Sequence, residues 1–450
     1  MLPFTRAAPD AAAGKHDSYQ GRGYTMTHRK RLAAVFGVMM LPLVSGATSA
    51  AETIPVGQLV AETGATAPVA KIYGQGVADA FAFINAQGGI NGKKVQLATV
   101  DYGYDASKAV STYKQWAQSL KPVAIQGWGT ADTEALIDLV TKDGVVFMSG
   151  SSSGHLTDPT GRSPWTDTPA PFNFFYGPSY SDGCRALVQF AAEEWKRSPA
   201  ATRGSTFLGD LYRPKFAYLG DNHPYPNSPR AACTEYARDL GFEIVPPIRY
   251  SLSPTDYSAQ CQTLKQSGAH FAFLANTSES NVQLLKDCAR LGVATQFMTN
   301  IYGWDEAAAA QAGDAGNGLV WVVSVARWGD EVPGMETVRK VSAQSGSADE
   351  ARPVHYIRGI CSAFLMRDAM KAASEMGGVT GPNIKKAFEQ MRDHVPPELK
   401  GVCLPTTWTP DDHRGTTTVM LYRNDHNLGT VTQTRVYTTT IPLRPDWLGW

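Results

Sequence analysis

The sequence predicts an α/β protein with two lobes, each built on a mainly parallel sheet flanked by helices. Strand patterns and amphipathic helix patterns alternate from Ile54 to Ser149, which is the order expected of an open parallel sheet covered by helices. The alternation begins again after a stretch rich in proline and aromatic residues, 159–178. The roughly 400 residues from Glu52 onwards also exceed what one hydrophobic core usually serves.

The elements of the predicted first lobe follow one another closely. Ile54–Val60 has the composition of a strand, and Val69–Gln87 is a helix pattern that places Val77, Phe81 and Ile84 on one face. A turn rich in glycine, 88–92, leads to the next strand. The remaining predicted elements are strand Lys94–Val100, helix Asp105–Leu120, strand Val123–Gln126, helix Ala131–Lys142 and strand Val145–Ser149.

The predicted second lobe repeats this order between residues 181 and 325. The loop Arg197–Arg213 has no pattern and is expected to be an insertion, and the tail Trp408–Tyr437 is rich in Thr, Val and Tyr, as strands are. Two such lobes joined by several crossings predict a cleft that closes on a ligand. We expect an N-terminal lobe of 52–174 with 327–403, and a C-terminal lobe of 175–326 with 404–450.

The N-terminal region has the organisation of a secretion signal. Basic residues after Met26 precede an apolar run of thirteen residues, Leu32–Val44, and small residues up to Ala51 follow. We therefore interpret 26–51 as a signal peptide cleaved near Ala50-Ala51, and 1–25 as an upstream extension that is not native. The alternative is a retained anchor helix, although the apolar run is shorter than the roughly 20 residues that cross a bilayer.

Charge and cysteine content limit the possible functions. The chain has 41 basic and 41 acidic residues; residues 1–51 contain six and two of these, which leaves a net charge of −4 from Glu52 onwards. A mixed, mildly acidic surface argues against a nucleic-acid partner. Six cysteines in an exported protein permit up to three disulfides in any of fifteen connectivities, or buried free thiols. The absence of a C-x-x-C pair argues against zinc ribbons and thioredoxin-type chemistry.

Several motifs in the expected order resemble one family. Residues Asn85–Lys94 and the following Asp101-Tyr102 are similar to a glycine motif of the branched-chain amino-acid (leucine-binding) type of periplasmic binding proteins, which serve ABC importers. Similar segments are Phe147–Ser153, Leu156–Pro159, Asp256–Ser258 and Asp411–Gly415. The resemblance covers essentially all of Glu52–Trp450. It implies a type I periplasmic-binding-protein fold with three hinge crossings, no catalysis, no cofactor, a location in the periplasm and a monomeric state.

The resemblance also implies a small-molecule ligand and an inner-membrane ABC permease as partner. Trp128, Gly129 and Thr130 lie between a strand and a helix, where glycine permits close approach and free N–H groups favour a carboxylate. The family contacts a ligand's carboxylate and amino groups from the loop that contains Ser151, Ser152 and Ser153. For Thr130 an ordinary helix cap, and for the serines a solvated turn, are the alternatives.

Further ligand contacts are expected from both lobes. Tyr73 and Tyr225 correspond to positions where the family places an aromatic wall, although core packing is an equal alternative. Thr277 and Glu279 follow one predicted strand of the second lobe, and Asn300 and Tyr302 follow the next.

The chain departs from the family pattern at one important place. Branched-chain amino-acid binders hold the ligand ammonium with an acidic residue of the second lobe, but neither Glu279 nor Asp305 aligns cleanly. Trp128 and Trp304 are bulkier than an aliphatic pocket requires. An amino acid, an amide and an aromatic carboxylate therefore all remain candidate ligands.

The sequence also permits functions other than ligand capture. Gly150–Gly154 matches the G-x-S-x-G pattern of serine hydrolases, with Ser152 as nucleophile and His155 nearby. A secreted hydrolase is therefore the alternative function, and a ligand-sensing module is the third. Asp411, Asp412 and His413 could suggest a metal, but one short loop cannot turn all three inward, and no metal is expected.

Overall fold

The computed structural model describes residues 52–197, 213–346 and 350–450. The predicted extension 1–25, the predicted signal peptide 26–51 and nearly all of the predicted insertion lie outside the described residues. Among the residues that are described, no helix is long and apolar enough to cross a bilayer.

The first lobe contains a fully parallel sheet of five strands in the order β2-β1-β3-β4-β5. Its central strands are buried on both faces, so they read as continuous apolar runs in the sequence. The strands and the first helices are β1 (Ile54–Val60), α1 (Ala67–Ala86), β2 (Val95–Asp101), α2 (Ala106–Ser119), β3 (Ala124–Gln126), α3 (Thr130–Asp143), β4 (Val146–Ser149) and β5 (Asn173–Phe175).

The glycine motif that follows α1 sets the start of β2. Gly88 and Gly89 have φ of 99° and 74°, a conformation that favours glycine, and a Cβ on Gly89 would overlap the Lys93 carbonyl. The Asn85 side chain then donates to the Val95 carbonyl and accepts from its N–H, both at 2.8 Å. The motif that resembles the family is therefore the turn that places β2 beside β1.

The second lobe contains an eight-stranded sheet in the order β15-β14-β11-β10-β9-β6-β7, with β8 also pairing with β6. Strands β6 to β11 are parallel. The elements are α4 (Tyr180–Arg197), β6 (Lys215–Gly220), α5 (Pro224–Asn227), α6 (Arg230–Asp239), β7 (Glu243–Ile244), β8 (Ile248–Arg249), α7 (Ser258–Ser267), β9 (Phe271–Leu274), α8 (Ser278–Arg290), β10 (Gln296–Thr299), α9 (Glu306–Ala312) and β11 (Val320–Val323).

Three helices return to the first lobe: α10 (Met335–Ala343), α11 (Val354–Glu375) and α12 (Gly381–Glu389). Helices α1 and α11 meet backbone to backbone, because a Cβ on Gly76 would overlap the Tyr356 carbonyl and one on Gly359 would overlap the Tyr73 carbonyl. This close contact fixes the first turns of α11, and the side chains on them, against α1.

The chain ends in β12 (Thr407–Thr409), β13 (Asp412–Gly415), β14 (Thr418–Asn427) and β15 (Thr430–Thr440). Strands β14 and β15 add antiparallel pairs to the second sheet. The β12–β13 pair instead packs on the first lobe, where Phe174 stacks on His413 at 4.1 Å and on Phe388 at 4.8 Å. Residues 404–415 therefore differ from the predicted lobe division, because these aromatic rings attach them to β5 and α12.

One tyrosine hydroxyl forms hydrogen bonds to two of the segments that connect the lobes. Tyr176, just after β5, donates to the Ser324 carbonyl at 2.8 Å and accepts from the Leu404 N–H at 2.7 Å. Ser324 follows β11, and Leu404 precedes β12. One side chain thus links the segments that lead into or out of the three crossings.

All six cysteines form disulfides, so the alternative of buried free thiols is wrong. Cys184–Cys233 joins α4 to α6, and Cys261–Cys288 joins α7 to α8, both in the second lobe. Cys361–Cys403 joins α11 to the segment that precedes β12. Closing loops of this length stabilises a fold by roughly 3 to 4 kcal/mol each in the chain-entropy account.

Candidate functional site

The two lobes touch across the cleft through specific contacts. Tyr302, after β10, donates from its hydroxyl to the Gly150 carbonyl, after β4, at 2.5 Å. The Tyr104 ring stacks on the His223 ring with centroids 5.0 Å apart, and the Ser153 and Ser228 hydroxyls are hydrogen-bonded. The structure therefore represents a closed arrangement of the lobes.

Between these contacts lies a small cavity with a volume of about 10 Å³. It is lined from both lobes, by residues at or near the carboxyl ends of the parallel strands, where open sheets place ligands. Apart from Gly129, the lining residues have hydroxyl-bearing or aromatic side chains, and none is charged: Thr66, Tyr104, Trp128, Gly129, Thr130, Tyr180, Tyr225, Thr277 and Tyr302. Six of the twelve predicted site residues are among them.

The first-lobe wall is the loop from β3 to α3. Trp128 donates from its indole N–H to the Thr66 hydroxyl at 3.0 Å, which orients the ring. Gly129 is required, because a Cβ there would overlap Asp132 and lie 2.8 Å from the Tyr102 hydroxyl. The wall is thus fixed by hydrogen bonds before any ligand contacts it.

A buried carboxyl supports this wall from behind. Asp132 accepts from the Tyr102 hydroxyl at 2.8 Å and from the Gly129 N–H at 3.2 Å. Burial raises the pKa of Asp132 to about 6, although these hydrogen bonds oppose the rise. The first turn of α3, beside the cavity, therefore contains a carboxyl whose pKa lies in the mildly acidic range.

The three predicted serines lie beside the wall and do not line the cavity. Ser151 and Thr130 share a hydrogen bond between their hydroxyls at 2.6 Å, and the Ser152 carbonyl accepts from the Tyr180 N–H at 2.8 Å. Ser153 contacts Ser228 of the other lobe. Their observed contacts support Thr130 and Tyr180 and connect the lobes.

The loop that contains Ser152 does not have the paired nucleophile and base of a serine hydrolase. The Ser152 side chain is fully buried, and its Oγ has no hydrogen-bond partner among the described residues. His155 contacts Ser153 through Nδ1 at 3.1 Å and Glu134 through Nε2 at 2.8 Å. A nucleophile needs a base within hydrogen-bonding reach, so the alternative with Ser152 as nucleophile is not supported.

Aromatic rings form most of the cavity surface. The Trp128 ring meets Tyr302 edge-on at 4.8 Å, and Tyr180 meets Tyr225 at 5.3 Å. Tyr73 is buried behind Trp128 at 5.4 Å and supports that ring without lining the cavity. Burial raises the pKa of Tyr180 to about 12, so its phenol is a neutral hydrogen-bonding group at neutral pH.

On the second lobe, Asn300 positions the two lining tyrosines. Its Oδ1 accepts from the Tyr225 hydroxyl at 2.9 Å and from the Tyr302 N–H at 2.8 Å. Its Nδ2 donates to the Ala275 carbonyl at 2.8 Å. The Asn300 side chain is thus occupied by protein groups, and its effect on a ligand passes through Tyr225 and Tyr302.

The two acids considered for a ligand ammonium lie elsewhere. Glu279 is exposed in the first turn of α8 and is not among the lining residues. Asp305 caps α9 by accepting from the Ala308 N–H at 2.7 Å, and its other oxygen lies 3.4 Å from His355 Nε2. Burial disfavours the charged form of Asp305, but the His355 contact and the cap lower its pKa.

Three lining residues were missed from the sequence. Thr66 follows β1, Tyr104 follows β2, and Tyr180 begins α4 after β5. The rule that selects residues after each strand of an open sheet would have found the first two. The third follows β5, a strand that the sequence did not predict within the stretch 159–178.

Two α/β lobes that close on a polar and aromatic cavity define a hinged ligand-binding protein. The chain belongs to the periplasmic binding protein family, whose model matches residues 53–427. The resemblance stated above and the type I fold are thereby confirmed.

Individual relatives are distant in sequence and close in fold. A Pseudomonas aeruginosa protein that binds leucine, isoleucine, valine, threonine and alanine is 20% identical over 292 residues, which is 65% of this chain and 72% of that protein. The substrate-binding protein of an Aeropyrum pernix ABC transporter superposes with a TM-score of 0.75 at 25% identity, over 88% of this chain and 98% of the other. A Thermus thermophilus branched-chain amino-acid ABC transporter structure with bound valine gives a TM-score of 0.73 at 20% identity, over 87% and 97%.

Proposed function

We propose that this protein is the exported solute-binding component of an ABC importer, which captures a small polar ligand and delivers it to an inner-membrane permease without catalysing a reaction. The observation that carries the proposal is the closed cavity lined by hydroxyls and aromatic rings from both lobes. Membership of the periplasmic binding protein family supports it.

Closure of the lobes is the step that would capture the ligand. A ligand in the cavity touches Trp128 and Thr130 of one lobe and Tyr225 and Tyr302 of the other, and all four contacts exist together only when the lobes are closed. A ligand shifts a conformational equilibrium by its differential affinity for the two states. Binding therefore favours the closed form that the permease would recognise.

The ligand is a small molecule with a polar group and an apolar body. The threonine hydroxyls and the start of α3 suit a carboxylate or an amide, and the rings of Trp128 and Tyr225 suit an apolar body. Amino acids, amides and aromatic carboxylates all meet this description. The relatives that bind branched-chain amino acids support the first of these classes.

A thermal-shift screen of the protein from Glu52 onwards tests this function. A ligand at about 100 times its Kd stabilises a fold by about 2.7 kcal/mol, which raises the melting temperature measurably. The screen contains amino acids, amides, ureas and aromatic carboxylates. A folded protein whose melting temperature responds to none of these classes would contradict the proposal.

Intrinsic tryptophan fluorescence tests whether the ligand binds in this cavity. Trp128 lines it, whereas Trp165 is 46% exposed and stacks on Trp450. We expect the ligand-induced change in tryptophan emission to be lost in Trp128→Phe and retained in Trp165→Phe. Equal retention in both variants would place the ligand elsewhere.

The proposed location and monomeric state need separate measurements. N-terminal sequencing of the protein recovered from a periplasmic extract is expected to begin near Ala51 or Glu52, after cleavage at the small residues. Light scattering of the same material is expected to give the mass of one chain. Recovery of the uncleaved chain in the membrane fraction would instead favour the retained anchor.

A further inference from the structure

One buried cation near the cavity lacks an acidic partner. The side chain of Arg358, in the first turns of α11, is 1% exposed, and its guanidinium carbon lies 4.3 Å from the centre of the Tyr302 ring. Nη2 donates to the Tyr176 carbonyl at 3.4 Å. Nε and Nη1 have no hydrogen-bond partner among the described residues.

The other buried arginines of the described chain differ in this respect. Arg185 donates to Asp182 at 2.8 Å, Arg367 makes two bonds of 2.8 Å to Glu398, and Arg414 donates to Asp412 at 2.9 Å. A charge taken out of water without a partner costs several kcal/mol, so buried arginines are normally paired. Arg358 departs from a rule that the rest of this protein follows.

The groups around Arg358 do not supply the missing negative charge. Its neighbours include Tyr176 and Tyr302, and burial raises the pKa of both phenols, so they are neutral at physiological pH. The buried acid Asp305, which contacts His355, is occupied by that contact and by the α9 cap. Burial lowers the pKa of His355, so that ring is neutral and adds no second positive charge beside Arg358.

Arg358 lies directly behind the cavity wall. Tyr302 lines the cavity on the same ring whose face the guanidinium covers, and none of the nine lining residues carries a charge. The closed site therefore has a positive charge behind the Tyr302 wall and no carboxylate among its lining residues, while the Asp132 carboxyl behind the opposite wall is occupied by the Tyr102 hydroxyl and the Gly129 N–H. This electrostatic environment favours a ligand with a net negative charge.

We propose that the ligand is a carboxylic acid without an ammonium group, whose carboxylate balances the charge of Arg358 when the lobes close. The proposal rests on the ligand-capture function proposed above and chooses among its three ligand classes. Guanidinium is suited to this role, because it stays protonated and its charge acts over a short distance in a buried site. Without such an anion, closure buries an unpaired cation, so the closed state depends on the ligand's charge.

The test uses two sets of probes; within each set the carbon skeleton is the same and only the carboxylate, amide and ammonium groups differ. The first set is 4-methylpentanoate, 4-methylpentanamide, leucine and leucinamide; the second is 3-phenylpropanoate, 3-phenylpropanamide, phenylalanine and phenylalaninamide. Calorimetric titration of the protein from Glu52 onwards gives a Kd for each probe. We expect the carboxylate of at least one set to bind at least tenfold more tightly than its amide, its amino acid and its amino-acid amide.

Variants then assign the charge preference to Arg358. Arg358→Met is expected to weaken carboxylate binding at least tenfold and to leave any amide binding unchanged, and Arg358→Lys is expected to retain part of the preference. Arg367→Met, on the same helix but paired with Glu398, is the control and is expected to retain the preference. Circular dichroism verifies that each variant is folded.

Two results would overturn the proposal, and they differ in what they imply. If an amide or an amino acid binds as tightly as the matching carboxylate, the anionic ligand is wrong, while ligand capture stands. If none of the eight probes binds and the broader thermal-shift screen is also negative, the proposed function fails together with the inference. The probe series on the unaltered protein decides this even if Arg358→Met does not fold.

Discussion

The Tyr302 hydroxyl and the Gly150 carbonyl form a hydrogen bond of 2.5 Å that spans the cleft. Tyr302 belongs to the second lobe and Gly150 to the first, so this bond exists only when the lobes are closed. The same ring lines the cavity and covers Arg358. One tyrosine therefore connects closure, ligand contact and the buried cation.

Tyr302→Phe is expected to weaken ligand binding with little loss of fold stability. The variant keeps the ring but removes a bond made only in the closed state, and a typical hydrogen bond contributes about 0.5 to 1.5 kcal/mol. The expected loss of affinity is about two- to tenfold, measured by calorimetry. Tyr218→Phe is the control, because the Tyr218 hydroxyl bonds to the Pro226 carbonyl within one lobe. A loss of affinity in both variants would contradict the assignment.

Gly359→Ala is expected to destabilise the protein by about 1 to 3 kcal/mol, as overpacking usually does. The added methyl would overlap the Tyr73 carbonyl and lie 2.9 Å from the Val77 N–H, so α1 and α11 must separate. Urea unfolding measures the loss. Gly183→Ala in α4 is the control, since its Cβ would meet only Val322 at ordinary contact distance. A neutral Gly359→Ala would show that the two helices can separate freely.

Asp132 gives the fold a specific dependence on pH. Its folded-state pKa of about 6 is above the ordinary value of 3.8, so its contribution to stability is fully present below pH 3.8 and is lost as the pH rises through 6. Relative to Asp132→Asn, the unaltered protein is expected to lose on the order of 2 to 3 kcal/mol between pH 4 and pH 7.

Urea unfolding at pH 4, 5, 6 and 7 measures this difference. Asp138→Asn is the control, because Asp138 is an exposed residue on the same helix. Its unfolding free energy is expected to follow that of the unaltered protein at every pH. Parallel curves for the unaltered protein and Asp132→Asn would show that the Asp132 carboxyl does not titrate between pH 4 and pH 7.

Removing the disulfide between Cys361 and Cys403 is expected to lower the free energy of unfolding by roughly 3 to 4 kcal/mol, since the bond closes a loop with a sequence separation of 42. The double variant Cys361→Ser, Cys403→Ser tests this by urea unfolding. The unaltered, denatured protein is expected to react with no thiol reagent before reduction. One free thiol per chain or more would contradict the three pairings.

The sequence predicts more of the fold than of the ligand site. Local patterns are enough to predict α1 and its glycine turn. Val77, Phe81 and Ile84 share one face of the helix, and only glycine fits the backbone at position 89. The β12–β13 pair was assigned to the other lobe, because the stacking of Phe174 on His413 joins residues far apart in sequence. Such long-range contacts leave no periodic signal.

The site residues divide in the same way. Trp128, Gly129 and Thr130 were predicted because a strand, a glycine and a helix start are adjacent in sequence. Glu279 was expected to face the ligand from its place after β9, but it is exposed at the start of α8. The role proposed for Arg358 could not be predicted from the sequence. It depends on the lack of a carboxylate partner near the guanidinium, which only the folded structure reveals.

The bonds of Tyr176 to Ser324 and Leu404 have a mechanical consequence. The Tyr176 hydroxyl is bonded to both of the other connecting segments, so we expect the three segments to move together when the lobes close. Loss of this one hydroxyl would let each segment move separately.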